Sequence, residues 1–69
     1  MGRINFAASD ASKVVNNSLV DSSSIIFCTV VTADATMKSV SVQAGSGTFT
    51  ITANAAPAGE VAVNWIVFN

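Results

Sequence analysis

Histidine is absent from this chain, and Cys28 is its only cysteine. No intrachain disulfide can form, and the imidazole and thiolate ligands of a structural zinc site are missing. The usual general base at neutral pH is missing too, which removes the commonest acid–base and nucleophile-activating chemistry. Tyrosine is absent, while Trp65 and Pro57 are the only residues of their kinds. Charged residues make up 10% of the chain, against about 25% in an ordinary soluble domain. The three basic and four acidic side chains are scattered and leave a net charge of −1. No basic patch is there to neutralise phosphates, so nucleic acid is not an expected partner. No apolar run approaches the roughly 20 residues of a membrane helix. The opening Met1-Gly-Arg-Ile-Asn-Phe6 has no signal-peptide hydrophobic region. A membrane is therefore not expected as a partner either.

What is present is a short, apolar, β-forming chain. Its 69 residues are read as a single domain, 1–69, and 51% of them are hydrophobic. A 7.0 kDa monomer has a folded surface of about 4,000 Å² and buries only about 60% of what its unfolded chain exposes. Such a domain is marginal unless disulfides, a metal or oligomerisation help it. The first two are excluded, so self-association is expected. β-branched residues with Ser, Thr and Asn dominate, while Leu, Glu and Lys are scarce. Turn-type clusters at Asp10-Ala-Ser12, Asp21-Ser-Ser-Ser24, Ala33-Asp-Ala35, Ala44-Gly-Ser-Gly47 and Ala55-Ala-Pro-Ala-Gly59 divide the chain.

Between these breaks the pattern predicts an all-β fold, a small antiparallel β-sandwich of about five to six strands. The spacing predicts strands over 3–7, 13–20, 24–32, 37–43, 48–54 and 61–69. The second has a polar centre at Asn16-Asn-Ser18 that reads as a bulge. The third contains Ile25-Ile-Phe-Cys-Thr-Val-Val31, a run that suits a central strand buried on both faces. The fourth and fifth alternate cleanly, with Val40 and Val42, then Phe49, Ile51 and Ala53, on the inner side. The glycine-containing link between them reads as a β-hairpin. Strands four, five and six are expected to form an antiparallel meander.

Chemistry-bearing residues are few. Asp10, Asp21, Asp34 and Glu60 all fall in predicted turns or at strand edges, where turn-forming roles are the expectation. No loop repeats acidic residues at alternate positions as calcium loops do. Cys28 sits between apolar neighbours and reads as a buried, inert thiol. Gly45-Ser-Gly47 lacks the Lys-Ser/Thr and the helix of a phosphate-binding loop, and reads as a turn. No catalytic residue, cofactor site or metal site is expected, and the chain is not expected to be an enzyme.

The final strand, Val61-Ala-Val-Asn-Trp-Ile-Val-Phe-Asn69, is apolar on both faces. Val61, Val63, Trp65 and Val67 point one way, and Ala62, Asn64, Ile66 and Phe68 the other. A chain this short has little protein to cover both, so a second copy is the expected cover. The oligomer interface is expected among Ile66, Phe68, Val63 and Trp65. The favoured arrangement puts Trp65 and the valines in the subunit core and Ile66 and Phe68 against a neighbour.

Asn16-Asn-Ser-Leu-Val20, Ser24-Ile-Ile-Phe27, Ala33-Asp-Ala35, Gly47-Thr-Phe-Thr-Ile-Thr52 and Val63-Asn-Trp-Ile-Val-Phe-Asn69 follow one another in a familiar succession. Over 14–69 the chain resembles the small β-sandwich domain at the C-terminal ends of bacteriophage tail fibres and tailspikes. The resemblance implies a homotrimer, held at the end of a long trimeric fibre, that keeps three chains in register. It implies a place in the virion, after synthesis in the host cytoplasm. A second role that it implies is contact with a host surface glycan, as a carbohydrate-binding tip.

Overall fold

The computed structural model describes residues 1–68. Asn69, expected to end the last strand, lies outside the described residues. Six strands follow in chain order: β1 (Gly2–Phe6), β2 (Ser12–Asn16), β3 (Ile25–Val30), β4 (Val40–Ala44), β5 (Thr48–Ala53) and β6 (Val61–Phe68). They form two three-stranded antiparallel sheets, ordered β1-β6-β3 and β2-β5-β4. The chain surface of 4048 Å² matches the value expected for a compact chain of this mass.

The core lies between the sheets. Phe49, Ile51 and Ala53 of β5 face Val61 and Val63 of β6 and Phe6 of β1, all buried. Two further core residues, Val20 and Met37, come from the connections and not from strands. They close the gaps that two short sheets leave at their margins. Trp65 also points inward from β6, edge-to-face with Phe49 at a centroid separation of 5.1 Å. Its indole lies over Gly2, its cross-strand partner. A Cβ there would come within 2.6 Å of the ring, so the close approach requires glycine.

Three expectations need correction. First, strands four, five and six do not form a meander. β4 and β5 are a hairpin, but β6 crosses to the other sheet and lies between β1 and β3. The three-residue turn after Ala44 forces β5 to return beside β4, with Gly47 at φ +75° and the Gly45 N–H donating to the Thr48 carbonyl at 2.8 Å. The longer link from Asn54 to Glu60 imposes no such return. Second, β3 is an edge strand and not a central one, and its outward residues Ile25 and Phe27 are exposed. Third, the polar segment after Val15 ends β2 and is not a bulge within it. The Asn17 carboxamide oxygen accepts from the Leu19 N–H at 3.0 Å, and its carbonyl accepts from Val20 at 3.0 Å. This Asx-type turn replaces ladder bonds with local ones.

Candidate functional site: the outer face of the β1-β6-β3 sheet

Register places the outward residues of this sheet in rows. Ile25 pairs with Phe68, Phe27 with Ile66, and Thr29 with Asn64, which also pairs with Arg3. The first two rows are apolar and the third is polar. Ile25 is 59%, Phe27 60% and Phe68 49% exposed, while Ile66 beneath them is half-buried. The Phe27 and Phe68 rings meet edge-to-face with centroids 5.6 Å apart. At the polar row the Arg3 Nε–H donates to Asn64 Oδ1 at 2.8 Å. A shallow groove of about 230 Å³ lies here, lined by Met1, Phe27, Cys28, Thr29, Asn64, Trp65 and Ile66.

Of the four interface residues expected from sequence, Ile66 and Phe68 point outward on this face. Val63 does not: its side chain is wholly buried in the subunit's own core and has no surface to offer a neighbour. Trp65 is likewise turned inward against Phe49 and Gly2. The sequence reading missed Ile25 and Phe27 as surface residues, because an apolar run looks the same whether its second face is covered or open. Their pairing with Phe68 and Ile66 on β6 puts them on the outer face, and that register comes from the structure alone.

The carboxylates serve their turns. Asp10 accepts the Ala7 N–H at 3.1 Å and pairs with Lys13 Nζ at 2.9 Å. The Lys13 ammonium, then the Ala7 amide, hold its carboxyl below the usual range. Asp21 accepts the Ser23 N–H at 2.8 Å. Asp34 ties two loops together. It accepts the Met37, Thr36 and Ala58 N–H groups at 2.9, 3.0 and 3.2 Å. The Met37 and Thr36 amides, with Ala58, hold its carboxyl well below the usual carboxylate range. Asn54 reinforces the same end, its Oδ1 accepting from the Lys38 and Ser39 amides at 2.8 and 3.1 Å.

Cys28 lies on the inner side of β3, half-buried, and burial pushes its thiol pKa up. The thiolate that nucleophilic chemistry needs is therefore disfavoured. Among the described residues, no three of His, Cys, Asp and Glu are placed to hold a metal ion together. No helix among them is long and apolar enough to cross a membrane.

The fold and this face define an all-β sandwich with an apolar patch on the outer side of the β1-β6-β3 sheet. No family model, curated protein or solved structure matches the chain.

Proposed function

We propose that this chain is a structural assembly module that holds copies of itself together and performs no catalysis. One observation supports the assembly role above the rest: large apolar side chains cluster, ring against ring, on the outside of the subunit. The largest apolar patch on a small protein is often a functional surface. The low charge and short length point the same way, since association adds the burial that a 7.0 kDa chain lacks.

Three copies form the assembly, and its setting is the end of a bacteriophage tail fibre or tailspike. These finer points rest on the sequence resemblance over 14–69. Three chains locked side by side stay in register, which is what the end of a three-chain fibre needs. The module acts in the virion, after synthesis in the host cytoplasm. Light scattering at micromolar concentration tests the reading. The expected mass is three times the 7.0 kDa of one chain, and a folded monomer would refute it.

A further inference from the structure

Granted the self-assembly proposed above, we infer that the three copies converge on their shared axis through the apolar end of the β1-β6-β3 outer face. Phe27 and Phe68 form the centre of the contact. Thr29, Asn64 and Arg3 form its rim.

Other exposed surfaces are poorer candidates. The outer face of the β2-β5-β4 sheet carries Thr50 and Thr52 on its central strand, opposite Ser41 and Gln43. Hydroxyls and amides are well solvated, so covering them with a like surface gains little. Val14, 59% exposed, is the large apolar side chain on that face. Leu19 is exposed in a turn, and a single exposed apolar residue is ordinary.

The β3–β6 end differs in three respects. Its apolar residues are contiguous and span two strands. None of them is charged, so apposing the patch to its own copy brings no like charges together. Of the seven charged residues in the sequence, Arg3 is the one on the rows of this face, and it is engaged by Asn64. An ionic partner would therefore find little to read, whereas a second copy finds a matching apolar surface. The edge strand β3 also carries neither charge nor proline, the two commonest devices that keep an edge from meeting another chain.

The patch has the area of a contact's apolar centre and less than half of what a whole contact buries. At the observed exposures Ile25, Phe27 and Phe68 leave roughly 300 Å² open. A stable contact needs about 800 Å² per partner, with an apolar centre and a polar margin. The patch supplies the centre, and the neighbouring Thr29–Asn64–Arg3 row together with Met1 supplies margin.

The experiment compares the full chain with three variants by light scattering and circular dichroism at matched concentration. Phe27→Asp and Ile25→Lys place charge in the patch, and Val14→Asp places charge on the opposite sheet. The expected result is loss of the assembled mass in the first two and retention of it in the third. A buried, unpaired charge should raise the dissociation constant by about 100-fold or more. If the two patch variants unfold, the loss of the intrachain Phe27–Phe68 contact accounts for it, and the milder Phe27→Ser and Ile25→Ser decide: a folded chain of lower mass supports the inference and an unchanged assembled mass overturns it. If both patch variants keep the wild-type mass, or if Val14→Asp dissociates as readily, the patch inference is overturned and the assembly reading stands. A monomeric wild-type chain overturns both.

Discussion

Replacing Val63 by alanine separates its core role from the proposed interface role of the same strand. Val63 is fully buried in the central strand of its sheet, between Ile4 of β1 and Val30 of β3. Val63→Ala removes two methyl-sized groups, worth about 1.6 kcal/mol of transfer free energy. A neighbourhood held by two flanking strands collapses only partly, which adds about 1 kcal/mol for the residual cavity. The sum of about 2–3 kcal/mol is a large part of the few kcal/mol that a domain this small has in total. It should lower the thermal midpoint by about 10–20 °C. The assay is thermal unfolding followed by circular dichroism, at one fixed concentration because the proposed association would be linked to folding. Val14→Ala, on an exposed position of the other sheet, is the control and should shift the midpoint by a few degrees at most. A Val63→Ala variant that melts like the wild type but loses its assembled mass would show Val63 at a subunit contact, and would refute this placement of β6.

Asp34 holds its N–H donors more strongly as a carboxylate than as an acid, and its pKa is lowered in the folded chain. Its contribution is therefore full above the unfolded value of about 3.9 and is lost as pH falls through the lower folded value. Asp34→Ala should melt below the wild type at pH 7, and the gap should narrow at pH 2; equal gaps at both would refute the assignment. Gly47 sits at φ +75° with open space around it. Gly47→Ala should cost about 1–2 kcal/mol through backbone strain alone, read as a lower midpoint in denaturant; an unchanged midpoint would mean that the turn adopts another conformation. The Cys28 thiol, its pKa raised by burial, should react with a bulky thiol reagent at pH 8 much more slowly than it does in denaturant. Equal rates would place it on the surface.

The strands that the sequence showed best are those half-covered in the subunit. In β5, Phe49, Ile51 and Ala53 alternate with Thr48, Thr50 and Thr52, and the first three are buried. Period-two alternation is a local consequence of one covered face, so it survives in sequence. Short turns were legible for the same reason: the hairpin after Ala44 spans too few residues to go elsewhere. Pairing across longer links was not. The Asn54–Glu60 segment can reach either sheet, and nothing in its residues says that β6 leaves β5 for the gap between β1 and β3. Val20 and Met37 were assigned to strands by their apolarity. Their burial instead comes from loops folding over the open margins of the sandwich.

By itself the sequence determined the β-rich class, the hairpin, the inner faces of β4 and β5, and the two-faced character of β6. These follow from side-chain alternation and turn chemistry, which act over a few residues. Only the tertiary structure decided which apolar face of each strand lies inside. It turned Val63 and Trp65 into the core and left Ile25, Phe27 and Phe68 outside on one patch. The physical reason is that an apolar side chain gains the same free energy against any dry surface. Its presence in the chain does not say which surface it meets, and the crossing of β6 between β1 and β3 determines which face the chain itself covers.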